Sequence, residues 1–519
     1  MLIALTITLR FAHLGRRVYW LDEVIHTIHS FGHYEAELVE AVRAADSPQP
    51  LGDLNQFLAP NPDRPAFDTL QILSETEPQS TSIHYLVNRW WSQILGPSVQ
   101  NQRLLAALLG LALLPVTYWL GTELRGLYPN ILPAFPWLAT LFVALSPIQV
   151  LYSREVRFYS LWVVLSTATT AALLRATRSQ SRPQSIRRWG LHTILLIAAA
   201  YTFPLEWISV AGRTLWLLLS RRSRWRWLAL SQGAALIAFI PWAIVIQQNL
   251  NNLKTWRDTD IGAIALIRSW LEGHSLFVVD WFPVVPPGLE GLLSLLTGGL
   301  LVVASIGLLV WLGSQHQFVA LLLICVGLFP WLIWAALDLV QGGIWSSWGS
   351  MRYYLPGSVL FSITFALGLT QWIGNHQQRL RLLCGAALVV WITLGLASNV
   401  QIARSQTSRF AFDSNEWVSL ARGLRDTDNP LLIVPTANRS APLHLLTIKQ
   451  YVTPQKEFIY LDDPSDAGDI LSEYDRVYVI APQPEWQERV NQDGAWTLTA
   501  LGANLSVLEA ANARESSPD

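Results

Sequence analysis

Runs of roughly 20 apolar residues, the length that lets a helix cross the hydrocarbon core of a bilayer, recur along most of this chain. They lie near 101–120, 131–151, 158–175, 189–203, 204–220, 227–247, 292–313, 318–340, 353–373 and 382–400. Inside lipid every backbone N–H and C=O must be satisfied within the protein, so such runs must be helices. Segment 1–12 is also apolar but too short to cross fully. It has neither a cationic start nor a small-residue cleavage site, so it is expected to be a first span shortened at its beginning and not a signal peptide. With it the reading is a polytopic α-helical membrane protein of about eleven spans. Pro204 separates two short runs and predicts either a tight turn or a kink there.

Composition agrees. Of 519 residues, 51% are hydrophobic and 14% are charged, against about 25% charged in soluble domains. The 25 tryptophans suit the membrane–water interface. A net charge of −1 gives no electrostatic case for nucleic acid. Cys325 and Cys384 sit in apolar runs, so neither a disulfide framework nor zinc-type spacing follows.

Arginine placement predicts sidedness. Arg175, Arg178, Arg182, Arg187 and Arg188 occupy one loop; Arg221, Arg222, Arg224 and Arg226 the next alternate loop; Arg379 and Arg381 a third. Short cytoplasmic loops concentrate such charge. The opposite, non-cytoplasmic side then receives the outer segments 13–100 and 249–291, the loops 152–157 and 341–352, and the tail 401–519. A multi-pass protein of the plasma (inner) membrane is expected. The domain division is 1–400, with those outer segments, and 401–519. In the tail, 431–436 and 476–482 read as buried strands, and 414–425 and 440–450 as helices, which predicts a small C-terminal α/β domain. Its last residues, 511–519, are polar and expected to be disordered.

Four polar clusters fall on the predicted outer side. Asp22 and Glu23 follow the first span; a carboxylate there can take a proton from a hydroxyl or hold a metal, or simply favour a helix start. Asp22, His26, His29 and His33 are spaced i, i+4, i+7, i+11, one face of a helix. Carboxylate with imidazole is metal chemistry; a polar face of an interfacial helix is the competing reading. Arg154, Glu155 and Arg157 sit between two apolar runs. Arginine suits phosphate, and snorkelling with a local ion pair is the alternative. Arg352, followed by two tyrosines, opens a later run, with an interfacial anchor as its default reading. Lys254, Arg257, His274 and Asp280 add charge to segment 249–291 without an order of importance.

The succession YWLDEV, a long outer loop, NQRLLAALLGLALLPVTYWLGTELRG (101–126), LSPIQVLYSREVRFYSL and MRYYLP resembles the GT-C membrane glycosyltransferases, in the branch of the protein O-mannosyltransferases and the lipid A aminoarabinose transferase. The resemblance covers most of the membrane region and implies a GT-C-like fold. It also implies transfer of a sugar from a polyprenyl-phosphate donor to a lipid, glycan or protein acceptor, with inversion. It makes Asp22 the catalytic carboxylate with Glu23 beside it, and Arg157, Arg352 and Arg154 phosphate ligands. Glu155, His84 and Tyr85 become supporting groups for substrate or metal. A divalent metal ion on Asp22, His26 and Glu155 stays open. Where relatives carry a His-Pro-Pro-like motif this chain has Ser80, Thr81 and Ser82, and where they often carry a His it has Phe203. A transporter or lipid flippase, or a non-catalytic relative, are the competing classes. Charges at span ends and the lack of an internal repeat speak against transport.

Overall fold

In the computed structural model the described residues are 1–128, 130–220, 224–249, 262–282, 284–286, 288–341, 346–373, 378–410, 412–435, 440–461, 463, 473–493, 496–501 and 505–510. Lys254, Arg257 and the tail end 511–519 lie outside them. Each apolar run contains helix, and among the described residues 6 helices are long and apolar enough to cross a membrane: Val99–Leu127, Trp225–Gln248, Glu290–Gln315, Gln317–Val340, Gly349–Ile373 and Gln378–Arg404. Leu2–Phe11 and Phe135–Leu145 are shorter apolar helices. At Pro204 the chain makes a tight turn and not a kink. Helix Arg182–Ala200 ends, Phe203 N–H donates to Ala199 O at 3.0 Å, Glu206 N–H donates to Phe203 O at 3.1 Å, and helix Glu206–Leu219 begins.

The chain forms two compact units. The first holds Met1–Leu14, Leu73–His84 and Gln102–Ser405. Lipid offers helices little hydrophobic reason to associate, so close approach through small residues does the work. A Cβ at Gly298 of helix Glu290–Gln315 would overlap the carbonyl of Leu271 on helix Ala263–Ser275. A Cβ at Gly212 would overlap the carbonyl of Cys325, within the π-helical stretch Leu323–Leu328.

The second unit holds Gly15–Ile72, Tyr85–Asn101 and Gln406–Asp519. Its six-stranded sheet uses β1 (Gln49–Pro50), β2 (Pro430–Pro435), β3 (Glu457–Leu461), β4 (Arg476–Ile480), β5 (Trp496–Ala500) and β6 (Leu505–Ala510), in the order β1-β3-β2-β4-β6-β5. The β2–β3 and β2–β4 pairs are parallel and the others antiparallel. Leu431, Ile433, Ile459, Val477, Val479 and Trp486 form part of its core. Strands buried on both faces read as continuous apolar runs, which is why β2 and β4 stand out in the sequence.

These units do not follow the expected division into 1–400 and 401–519. The tail's sheet takes its edge strand from residues 49–50, and Tyr460 N–H donates to Ala45 O at 3.1 Å and Leu51 N–H to Lys456 O at 2.8 Å. Val18 N–H donates to Gln406 O at 2.7 Å, and the Tyr451 hydroxyl, 2.9 Å from Arg17 O, also accepts from Tyr19 N–H at 2.6 Å. Most of the early outer segment therefore folds with the tail.

Candidate functional site

In the first unit the chemistry gathers on a turn. Helix Pro147–Tyr152 stops, residues 153–158 are non-helical, and helix Tyr159–Thr177 follows. The turn is closed by Ser160 Oγ donating to Tyr152 O at 3.1 Å and by Arg157 N–H donating to Glu155 O at 2.7 Å. Arg154, Glu155 and Arg157 are all buried. Snorkelling puts a charged head in water, so burial replaces the anchor reading with one in which each charge must be matched inside the protein.

For Arg154 the match is visible. Its guanidinium donates to the carbonyls of Leu9 at 2.8 Å, Arg10 at 2.9 Å and Ala12 at 2.7 Å, with His13 O at 3.4 Å. These are the carbonyls that the end of helix Leu2–Phe11 leaves unsatisfied. Arg154 thus holds the first helix, and a guanidinium so occupied is poorly placed to serve also as a phosphate ligand.

Arg157 lies over Phe158 and Tyr159, 5.3 and 5.5 Å from their ring centroids, and donates to the Tyr159 hydroxyl at 3.4 Å. Arg352, buried at the entry to helix Leu355–Ile373, lies 5.4 Å from the Tyr353 ring. Glu155 and Arg352 both act electrostatically on the Tyr152 hydroxyl, together with Tyr159 and Tyr353. His84 is buried within range of Arg157; desolvation, helped by that positive charge, pushes its pKa down to about 3. Its imidazole is therefore neutral near pH 7. Glu155, Arg157, Arg352 and His84 thus share one aromatic-walled region of this unit. The four tyrosines and phenylalanines around the arginines were not singled out from sequence, because a lone aromatic in an apolar run gives no signal beyond packing.

Phe203 belongs to the same wall. Its ring is 4.7 Å from Phe158, 5.0 Å from Trp162 and 6.0 Å from Tyr353. Behind Trp162 lies a buried network that the sequence did not announce. Trp162 Nε1–H donates to Glu206 Oε2 at 2.9 Å, and Glu206 Oε1 meets Arg213 at 2.5 Å. Arg213 also donates to Ser166 Oγ at 2.7 Å and Thr170 Oγ1 at 3.0 Å.

In the second unit Asp22 and Glu23 occupy the first turn of helix Leu21–Ser30, where carboxylates favour the helix dipole. Glu23 is fully buried and Asp22 half-buried. The histidine stripe is not an exposed polar face: His26, His29 and His33 are all buried. The helix ends at Ser30, and Gly32 turns the chain at φ +84°, so His33 leaves the helical register. The imidazoles have local contacts. His26 packs on Tyr85 with centroids 3.9 Å apart, His29 lies 3.4 Å from Glu35, and His33 lies 3.0 Å from Ala59 O and 3.9 Å from Glu37.

Among the described residues no group of three or more His, Cys, Asp or Glu side chains could hold a metal ion. The donor set Asp22, His26 and Glu155 is divided between the units, with Glu155 in the first. His274 Nδ1 lies 2.7 Å from Trp270 O, and Asp280 accepts from Phe282 N–H at 3.2 Å, both local structural contacts.

No protein-family model matches the chain, and no curated protein matches it either. Solved structures do. ArnT from Cupriavidus metallidurans, bound to undecaprenyl phosphate, aligns with a TM-score of 0.51 at 13% identity, covering 100% of this chain and 98% of that one. The Archaeoglobus fulgidus oligosaccharyltransferase, in complex with Zn and sulfate, aligns with a TM-score of 0.50 at 11% identity, covering 100% of this chain and 74% of that one. At such identities the likeness is one of fold: the chain shares the overall architecture of these two structures.

Proposed function

We propose that this protein is a membrane glycosyltransferase that moves a sugar from a polyprenyl-phosphate carrier to a lipid, glycan or protein acceptor on the non-cytoplasmic side, with inversion. The supporting observation is the buried set Glu155, Arg157 and Arg352 in a chain of GT-C fold. Fold by itself does not carry activity; buried cations beside tyrosine hydroxyls suit a phosphate leaving group. In this reading the chain crosses the membrane about eleven times, and the arginine-rich loops face the cytoplasm.

Arg157 and Arg352 hold the donor phosphate. As the bond from the anomeric carbon to the phosphate oxygen breaks, negative charge grows on that oxygen, and positioned cations stabilise it more than they stabilise the donor ester. Glu155 orients Arg352 and a sugar hydroxyl. His84 and Tyr85 assist substrate binding, His84 as a neutral hydrogen-bonding group. Asp22 accepts the proton from the acceptor hydroxyl as that oxygen attacks the anomeric carbon, and Glu23 fixes the helix start that carries it. A single displacement inverts the sugar. No step is assigned to a metal ion.

Purified protein supplied with radiolabelled polyprenyl-phosphate sugars tests this. Arg157→Gln and Arg352→Gln are each expected to slow transfer about 100-fold, the cost of one transition-state donor. Asp22→Asn is expected to slow it by about 100-fold to 10,000-fold, as for loss of a general base. Transfer by Asp22→Asn at the parent rate would remove Asp22 from the mechanism. A parent protein that releases no sugar from any such donor would favour a non-catalytic relative, a reading supported by Phe203, which closes the aromatic wall with a side chain that can neither donate nor accept a hydrogen bond.

A further inference from the structure

The face expected to be cytoplasmic carries a second concentration of positive charge, at the other end of helix Tyr159–Thr177 from the 153–158 turn and independent of the transfer reaction. Helix Arg182–Ala200 begins there with Ser181 as its cap, accepting from Gln184 N–H. Between Ala172 and Leu191 the chain has Arg175, Arg178, Arg182, Arg187 and Arg188, with neither Asp nor Glu. The first turn of this helix has no acidic residue, and its first two turns hold three arginines. Cations at a helix N-terminus oppose the macrodipole, which prefers negative charge there. A loop that only had to be basic to set topology could carry its arginines clear of that turn.

The structure gathers the charge around a recess. A cavity of about 530 Å³ is lined by Arg175, Arg187, Arg188, Ser181 and Gln184 above a floor that includes Leu191. An adjoining cavity of about 670 Å³ shares Arg175, Gln184 and Arg188. The acid nearby is Glu123, already bonded by Arg178 and 4.0 Å from Arg175. Arg188 donates to Arg175 O at 3.0 Å, which fixes one guanidinium in the wall. From the recess the same helix presents Leu191 and Ile194, exposed at 39% and 67%, in the direction of its apolar half. Cationic walls, hydroxyl and amide donors, and an apolar surface leading away from them match an amphiphile whose head is a phosphate.

We infer that this recess binds the phosphodiester headgroup of an anionic membrane lipid, with an acyl chain lying along Leu191 and Ile194. Basic pockets between helices on a cytoplasmic face hold such headgroups, and a free phosphate would make no use of the apolar surface. The inference rests on the membrane reading and on no step of the proposed reaction.

Binding of fluorescent phosphatidylglycerol and phosphatidylcholine to the detergent-purified full chain tests it. Phosphatidylglycerol is expected to bind about 25-fold more tightly, since Arg187 and Arg188 near a lipid phosphate each contribute about a factor of five. The double substitution Arg187→Gln with Arg188→Gln should remove that preference. Gln184→Glu should also remove it; this variant keeps every arginine and improves the helix start, so loss of folding cannot explain the effect. Arg379→Gln with Arg381→Gln, cationic but outside the recess, should leave the preference intact. Equal binding of the two lipids, an unchanged preference in Gln184→Glu, or the same loss in the Arg379/Arg381 variant overturns the proposal. Displacement of phosphatidylglycerol by millimolar inorganic phosphate overturns the lipid source and leaves a site for free anions.

Discussion

A buried charge has to be satisfied where it sits, and Glu206 shows how tightly. Its carboxylate is fully buried, takes Arg213 on one oxygen and the Trp162 indole on the other. Glu206→Ala leaves Arg213 buried with only hydroxyl and carbonyl acceptors, and breaking a buried pair this way costs about 3–5 kcal/mol. The expected outcome is a lower melting temperature in detergent, with the larger part of the stability returned when Arg213→Met is added, because the stranded cation is then gone. No recovery in the double variant would mean that Glu206 acts through Trp162 instead. His84 gives a pH prediction. Its folded pKa is about 3, below the unfolded value of about 6.5. The unfolded chain therefore binds the extra proton between those values, so stability is full above pH 6.5 and falls as the pH drops toward 3. His444, buried in the second unit with a pKa pushed down to about 4 by desolvation, adds loss in the same window. Melting curves from pH 7 to 4.5 should show this decline, and His84→Asn should flatten part of it; an equal slope in the variant would place the titrating group elsewhere.

At the scale of elements, periodicity and length located what they measure. Runs of apolar residues marked where helices form, and 431–436 and 476–482 marked two central strands, because a helix that faces lipid on one side and protein on the other, like a strand covered on both faces, needs no polar alternation. The two-residue strand Gln49–Pro50 carries no such pattern, since its pairing with β3 is set by backbone and not by side-chain burial. His33 was placed on a helix face by spacing alone; Gly32, whose positive φ suits glycine, ends that register first. Helix contacts through glycine were equally silent in the sequence. Gly298 is an example in which the neighbour is the Leu271 backbone, which cannot rotate away. Gly298→Leu is expected to destabilise the unit by about 1–3 kcal/mol or more, as overpacking does. Gly299, one residue on and with open space around its Cβ position, is the control: Gly299→Leu should leave the melting temperature close to that of the parent. Equal effects at both positions would show that helix propensity, and not contact, is being measured.

At the scale of the whole molecule the candidate groups were legible one by one, since Asp22, Glu155, Arg157 and Arg352 are charges where apolar sequence surrounds them. Some of their partners were not, because Tyr152 comes within range of Arg352, and Trp162 reaches Glu206, only when separate helices fold together. The division of the chain was hidden for the same reason. Sequence order suggests a tail that folds alone, yet the sheet is closed on one edge by residue 49, and Tyr451 is bonded to Arg17 and Tyr19. Removing 15–101 strips β1 from β3 and exposes an unpaired edge, a template for association. Residues 406–519 produced alone are therefore expected to aggregate or to show poorly dispersed amide resonances. Supplying 15–101 in the same cell should recover a soluble, protease-resistant complex, because the backbone bonds from Ala45, Leu51 and Val18 to the tail are then available again. A monomeric, cooperatively melting 406–519 would show instead that the tail is a domain in its own right and that the early segment only rests on it. If the complex forms, the helix start that carries Asp22 is anchored in the same folded body as the tail, and substitutions at Tyr451 should alter the rate of sugar transfer without touching Arg157 or Arg352.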